Sequence, residues 1–226
     1  GVVRGRLQVH SSAVCITDRT FVAFLLGLTG NIACGKSTVG QLLAECYGAE
    51  YVDADRLVHV LYAADTPETA AIVARFGADL LMADGTIDRR RLGDRVLNDR
   101  PALRDLEKIL HPGVRRAIEA RIAATPAPVL VIDAIRLIEA GLADRCDAVW
   151  VVTCSPDLQL ARLRASRGLT SEQAQLRIAA QPPQEEKVSR ATSVLQNTGS
   201  LDELERQVEV AWRRDIAPQL AQSSPP

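Results

Sequence analysis

Several common protein classes are excluded by what this chain has little of. Aromatic residues make up 4% of its 226 positions, so Ala, Val and Leu have to fill the core. A net charge of −1 provides no global basic field to hold nucleic acid or an anionic membrane, and any anion must be bound by a local arrangement. No apolar run approaches the ~20 residues that span a bilayer, which argues against an integral membrane protein. The five cysteines, Cys15, Cys34, Cys46, Cys146 and Cys154, form no C-x-x-C pair and no zinc-ligand spacing. Their odd number suits free thiols in a reducing, cytoplasmic setting. Internal repeats and low-complexity segments are also missing. The remainder, with 47% hydrophobic and 24% charged residues, is an ordinary globular composition, long enough for one buried α/β domain with a small insertion. None of this sets an oligomeric state, and a monomer is compatible with it.

The feature that is present is Gly30-Asn31-Ile32-Ala33-Cys34-Gly35-Lys36-Ser37-Thr38, which comes after the apolar run Phe21 to Leu28 and satisfies G-x-x-x-x-G-K-[S/T] at every required position. In this pattern a strand ends, glycines let the backbone curl, and successive N–H groups line a cup whose floor is a helix N-terminus. An anion fits there. Lys36 supplies a mobile point charge for β- and γ-phosphates, and the Ser37 hydroxyl suits Mg²⁺ bridged to the same oxygens. The competing reading is a Gly-rich turn that binds nothing. Against it stand the strand-like run before the loop and the amphipathic pattern Val39, Leu42, Leu43, Cys46 after it. Cys34 lies inside the loop, where the helix N-terminus and the Lys36 ammonium favour its thiolate. A reactive thiol protected by bound nucleotide is expected, the alternative being a small hydrophobe turned into the packing behind the loop.

Along the rest of the chain, residues 1–20 carry Arg4, Arg6 and Arg19 against Asp18 without periodicity and read as a flexible extension. A signal peptide competes for them, but cleavage after the apolar run would remove the strand that feeds the loop. One domain is expected over 21–217, with a flexible tail at 218–226. Ala49 to Val52 predicts a short strand ending on Asp53-Ala54-Asp55, at the sheet edge where ligands of open parallel sheets bind. One of the two carboxylates is expected to cap the next helix. His59, four residues after Asp55, shares its face and suits a negatively charged substrate. Residues 66–124 read as a helical block opened by Thr66-Pro67, turned at Asp84-Gly85, capped at Asp88, broken at Asn98 to Pro101, and broken again at His111-Pro112. Pro128 to Asp133 and Ala148 to Val152 read as buried parallel strands, with Asp133 either a cap for the next segment or a partner of Mg²⁺ through its shell. Over 162–190, Arg162, Arg164, Arg167, Arg177, Lys187 and Arg190 outnumber Glu172, Glu185 and Glu186. That patch is either an exposed helical hairpin or a lid that closes over phosphates and excludes water. A strand near 193–195 and a helix over 201–213 complete the domain.

Together these features describe a small-molecule kinase. The ordered set Leu28-Thr29-Gly30 with the phosphate loop, Val52-Asp53-Ala54-Asp55, Phe76-Gly77, Asp84 to Arg90, Leu110-His111-Pro112, Glu139, Arg162, Gln181 with Glu186-Lys187, and Asn197-Thr198-Gly199-Ser200 resembles the dephospho-CoA kinase family from about Phe24 to Trp212. The resemblance implies an α/β fold, a three-layer doubly wound parallel sheet of the phosphate-loop kinase type, with a helical substrate region at about 66–124 and a small helical lid at about 162–190. It implies ATP and Mg²⁺, and phosphorylation of the ribose 3′-hydroxyl of dephospho-CoA in the last step of coenzyme A biosynthesis. Carried over, ATP phosphates fall on Ala33, Cys34, Gly35, Lys36, Ser37 and Thr38, with Ser37 serving the metal. Lys36, Asp55 and Arg162 take catalytic places, Asp55 accepting or orienting the hydroxyl proton and Arg162 reaching the phosphates from the lid hinge. Thr29, His59 and His111 stand beside the substrate. The family usually has Gly where Ala33 stands, Pro and Leu at Ile135 and Arg136, Arg at Ser166 and Asp at Thr192. Ala33 adds only a methyl to the loop, whereas Ile135-Arg136 changes a wall near the substrate. A nucleoside or nucleotide kinase on the same sheet, and a nucleotide-binding module without turnover, stay open as alternatives.

Overall fold

The computed structural model describes residues 23–96 and 99–223, so the extension expected over 1–20 lies outside the described residues. The chain begins with β1 (Phe24–Thr29), α1 (Lys36–Tyr47) and β2 (Glu50–Asp53), followed by a helical block of α2 (Ala54–Leu61), α3 (Pro67–Phe76), α4 (Arg89–Val96) and α5 (Arg100–Ala124). It returns through β3 (Val129–Asp133) and β4 (Ala148–Thr153) to α6 (Pro156–Arg167), α7 (Ser171–Ala179) and α8 (Gln184–Val188), then closes with β5 (Ser193–Gln196), α9 (Leu201–Asp215) and α10 (Ala217–Ser223).

The five strands lie in the order β2-β3-β1-β4-β5, every neighbouring pair parallel. This is the three-layer doubly wound α/β sheet expected from the sequence. A strand covered on both faces has to be apolar at every position, and the alternation of side chains then sorts them between two layers. Leu25, Leu130, Ile132, Val149 and Val151 point to one face, where they join Leu61, Ile72, Leu106 and Ile118 of the helical block. Leu26, Leu28, Val131, Trp150 and Val152 point to the other and join Val39, Leu43, Leu204 and Val208 of α1 and α9.

The helices start and stop where local chemistry requires. Thr66 caps α3 with Pro67 in its first turn, and Thr170 and Ser200 form capping boxes with Gln173 and Glu203 at the starts of α7 and α9. Two expectations are corrected. The break at His111-Pro112 is absent, because α5 runs for 25 residues through Pro112. The proline removes one backbone hydrogen bond, at a typical cost of ~3 kcal/mol. Leu106 and Leu110 before it and Val114 and Ile118 after it are all buried on one stripe, which holds the helix together across the gap. The tail expected to be flexible from residue 218 is helical to Ser223, because Ile216, Ala217 and Leu220 pack against the α9 layer.

Candidate active site

The loop between β1 and α1 owes its shape to backbone constraints at both ends. At Gly30, with φ 145°, a Cβ would stand 2.2 Å from the Val152 carbonyl oxygen, so only glycine allows β1 to turn against β4. Gly35, with φ 97°, caps α1 in the left-handed region, and α1 has neither a side-chain cap nor an acidic residue in its first turn. The first amides of the helix therefore have no acceptor among the described residues, and the helix dipole adds to their positive field. Lys36 and the hydroxyls of Ser37 and Thr38 stand at the same opening, which is a cleft of about 450 Å³. The amide of Cys34 is turned inward and donates to the Asn31 carbonyl at 3.3 Å.

Across the cleft stand the carboxylates of Asp53, Asp55 and Asp133. Parallel register puts Asp53 beside Asp133 at the C-terminal ends of β2 and β3. Their chemistry differs because their partners differ. Asp53 is the cap of α2, its Oδ1 accepting from the amides of Asp55 at 3.0 Å and Arg56 at 3.2 Å. Asp133 is buried and accepts from the Tyr51 hydroxyl at 2.6 Å; it caps no helix. Burial raises its pKa above the usual carboxylate value, Asp53 and Asp55 add to the rise, and Lys36 opposes it. Asp55 accepts no hydrogen bond from the protein among the described residues and opens to the cleft. The walls around it raise its pKa, Asp53 raises it further, and Lys36 and His59 pull it back. A carboxylate with a raised pKa, facing a lysine across a phosphate-sized space, is equipped to take a proton from an incoming hydroxyl.

Arg162 closes the cleft from α6. Its guanidinium donates to the carbonyls of Ala33 at 3.3 Å and Asn197 at 3.1 Å, while Asn197 Nδ2 donates to the Cys34 carbonyl at 2.9 Å. Ser166 and Arg167 line the same wall. The hairpin of α6 and α7 is packed rather than free, since Leu163 and Ala174 are fully buried against Ile32 of the loop. Beyond it the 181–184 connector grips the loop through Gln181 Oε1, which accepts from the Ile32 amide at 2.8 Å. Lys187, 1% exposed, donates to the Ile135 carbonyl and pairs with Glu139 at 3.1 Å, and so ties α8 to the cleft wall.

Lys36, Asp55 and Arg162 thus meet around one cleft with Ala33, Gly35, Ser37 and Thr38. Thr29 does not reach it: fully buried, it donates to the Ile135 carbonyl at 3.2 Å and supports the wall from behind. His59 is exposed on α2, near enough to bias Asp55 but outside the cleft lining, and His111 is half-buried within α5, also outside it. Cys34 does not line the cleft: its side chain is turned into the packing behind the loop and is 0% exposed, the direction that the alternative reading expected. Ile135 lines the cleft while Arg136 pairs outward with Glu107. Asn197 and Lys187 stand in the sequence pattern without a role there; Tyr51 gives no signal beyond lying on a strand. Among the described residues no group of three or more His, Cys, Asp or Glu is arranged to hold a metal. Ser37 with neighbouring carboxylates fits Mg²⁺, which keeps few protein ligands and shares its shell with phosphates. A wider groove, about 600 Å³ between β5 and α9, contains none of these groups.

A parallel sheet with a phosphate loop after its central strand and a free carboxylate facing the loop lysine define a phosphate-loop kinase of small molecules. A family model described as dephospho-CoA kinase matches residues 24–203, and the chain belongs to that family. The dephospho-CoA kinase of Geobacter metallireducens is 45% identical over 195 residues, covering 85% of this chain and 96% of the relative. That of Streptomyces avermitilis is 44% identical, covering 83% and 91%. Among solved structures, the Thermus thermophilus protein TT1252 aligns with TM-score 0.73 and 34% identity over 84% of this chain and 97% of its own. A dephospho-CoA kinase from Campylobacter jejuni aligns with TM-score 0.61 and 26% identity over 84% and 95%. A shikimate kinase from Bacteroides thetaiotaomicron, at 13% identity and TM-score 0.52 over 84% and 97%, shares the fold alone.

Proposed function

We propose that this chain transfers the γ-phosphoryl group of ATP to the ribose 3′-hydroxyl of dephospho-CoA, giving coenzyme A and ADP. The observation that carries the reading is the position of Asp55, a carboxylate with a raised pKa that faces Lys36 and the phosphate loop across one cleft. The amides of Gly35 to Thr38 and the Lys36 ammonium hold the β- and γ-phosphates, and Arg162 neutralises charge that develops on the transferred group. Asp55 orients the ribose hydroxyl and takes its proton as the oxygen attacks. Ser37 would hold Mg²⁺, which would supply further charge neutralisation. The α6–α7 hairpin and the 181–184 connector keep water from the phosphates, which limits hydrolysis of ATP without an acceptor.

Free thiols fit a cytoplasmic location, and among the described residues no helix is long and apolar enough to cross a membrane. The substrates are small molecules, and a net charge of −1 offers no field for nucleic acid. The test is a panel in which ADP release is measured with dephospho-CoA, with nucleosides and nucleotides, and with no acceptor. Turnover that depends on dephospho-CoA is expected. Equal or greater turnover with a nucleoside or nucleotide assigns the chain to that substrate class instead, and binding of ATP without turnover makes it a nucleotide-binding module.

A further inference from the structure

Two cysteines that are 120 residues apart in the chain meet behind the phosphate loop, with Cys34 Sγ 3.4 Å from Cys154 Sγ. Cys34 belongs to the loop itself, and Cys154 comes directly after β4. Gln159 Nε2 donates to the Cys34 sulfur at 3.2 Å. The hydrogen bond from Cys154, then that from Gln159 and the nearby Lys36 charge, outweigh burial and bring the Cys34 thiol down to about 6, while the same contact pushes Cys154 up. The donors Cys154 and Gln159 thus favour the thiolate at Cys34 over that at Cys154, while Gln184 Oε1 accepts from the Cys34 thiol on its other side. The kinase mechanism uses neither.

We propose that Cys34 and Cys154 form an oxidation site, in which a hydroperoxide links the two sulfurs and the resulting disulfide distorts the phosphate loop and suppresses nucleotide use. In the first step the Cys34 thiolate attacks one oxygen of ROOH and the O–O bond breaks. Cys34 becomes a sulfenic acid and the peroxide leaves as ROH after taking a proton. In the second step the Cys154 sulfur attacks the sulfenic sulfur, the S–O bond breaks, and the hydroxide leaves as water with the Cys154 proton. Two thiols lose two electrons, and one hydroperoxide is reduced to one alcohol and one water.

The contacts around the pair supply both access and effect. Cys34 lies under the 181–184 connector, where Gln184 Oε1 is 3.6 Å from its sulfur. Asn31 donates to the Pro182 carbonyl at 3.3 Å, but among the described residues its own buried Oδ1 has no hydrogen-bond partner. An unsatisfied buried acceptor is rewetted when the connector lifts, which favours the opening that a small peroxide needs. Bonded sulfurs stand about 2 Å apart, so linkage draws the pair together by more than ~1 Å. The part of that movement taken up by the Cys34 backbone pulls on the Ala33 and Cys34 carbonyls held by Arg162 and Asn197, and misplacement of a reacting group by ~1 Å costs on the order of 10²-fold in rate.

The effect on turnover rests on the kinase reading, whereas the linkage itself is read by mass and does not. The full chain is treated with hydrogen peroxide, quenched with an alkylating reagent and mapped without reduction. A Cys34–Cys154 linked peptide is expected, with turnover reduced at least ~10-fold and restored by dithiothreitol. Cys154→Ala is expected to match the parent before treatment, to give no linked peptide and to let a sulfenic-acid trap label Cys34; Cys154→Ser replaces it if the alanine variant fails to fold. Absence of the linked peptide at a peroxide dose that oxidises exposed Cys46 overturns the proposal, and so does a linked protein with undiminished turnover. Failure of the untreated protein to phosphorylate dephospho-CoA counts against the kinase reading alone.

Discussion

Asp55→Asn separates the chemistry from the fold more cleanly than any other change in the cleft. The carboxamide keeps the size of the side chain and leaves the Asp53 cap untouched, but it accepts no proton. Loss of a positioned base typically lowers turnover 10²–10⁴-fold, about 2.7–5.5 kcal/mol of transition-state stabilisation. ATP affinity is expected to hold or improve, because one negative charge leaves a cleft that receives phosphates. The stability change has a definite sign. The surroundings and Asp53 raise the Asp55 pKa, so the folded chain holds this proton more tightly than the unfolded chain does. Stability from the protonated form is complete below the unfolded carboxylate pKa and is lost as pH rises through the raised folded value. At neutral pH the ionised group is a burden on the fold, so the asparagine variant should melt at the same temperature as the parent or higher, the difference fading toward pH 3. Turnover by coupled ADP release, ATP affinity by titration calorimetry and melting by scanning calorimetry at pH 7 and pH 3 give the three readings. Turnover within tenfold of the parent, or a melting temperature that falls along with turnover, refutes the assignment of Asp55 as the base. The same logic places the acid limb of the parent's pH–rate profile above the ordinary carboxylate range. Asp53→Asn, which keeps a competent cap, should move that limb to lower pH with a milder loss of turnover.

Other outcomes concern the loop and its supports. Lys36→Ala should lower turnover on the order of 10²-fold or more with the circular dichroism spectrum and melting temperature unchanged, and near-normal turnover would remove the loop from the chemistry. Arg162→Ala should raise the KM for ATP and increase ADP release without acceptor, measured in the same coupled assay; unchanged ATP kinetics would reduce the hairpin to structural packing. Ala33 has φ 59°, the left-handed region where a Cβ costs ~1–2 kcal/mol, so Ala33→Gly should stabilise the fold by about 1 kcal/mol in urea denaturation after the added freedom of the unfolded glycine is subtracted. Equal or lower stability of that variant would mean that the Ala33 methyl makes compensating contacts.

How much of the fold and the site is legible in the sequence depends on whether the signal is local. The strands are legible because a doubly covered strand is apolar throughout, as Val129 to Ile132 is, and the loop because its glycines and lysine are contiguous. The break predicted at Pro112 fails because a local rule meets a tertiary one: the missing hydrogen bond is outweighed by burial along α5 on either side. Thr29 is misplaced for a related reason. Its position at the end of β1 is readable, but whether its hydroxyl turns to the cleft or to the Ile135 carbonyl depends on the segment that follows β3, 106 residues away. Likewise the direction of the Cys34 side chain is set by Cys154, Gln159 and Gln184, none of them near it in sequence. Asp53 and Asp55 are readable as one cap and one free carboxylate, and that division is local, because an Asp at the N-cap reaches the amides two and three residues on.

The non-local contacts also explain how a loop of sequence becomes a site before any nucleotide arrives. A trans peptide is planar, with its N–H and C=O pointing in opposite directions. Asn197 Nδ2 and Arg162 hold the Cys34 carbonyl on one side of the loop, so the amide of Gly35, in the same peptide plane, is aimed to the other side. Arg162 does the same for the preceding plane by holding the Ala33 carbonyl, and the Cys34 amide is consumed by Asn31 on the far side. The left-handed geometry of Ala33 and Gly35 permits this arrangement, but residues from α6 and from the turn after β5 fix it. Because both carbonyls already have donors, their peptide planes are fixed in folding, and a ligand that used the loop as it stands would not have to meet the cost of ordering them.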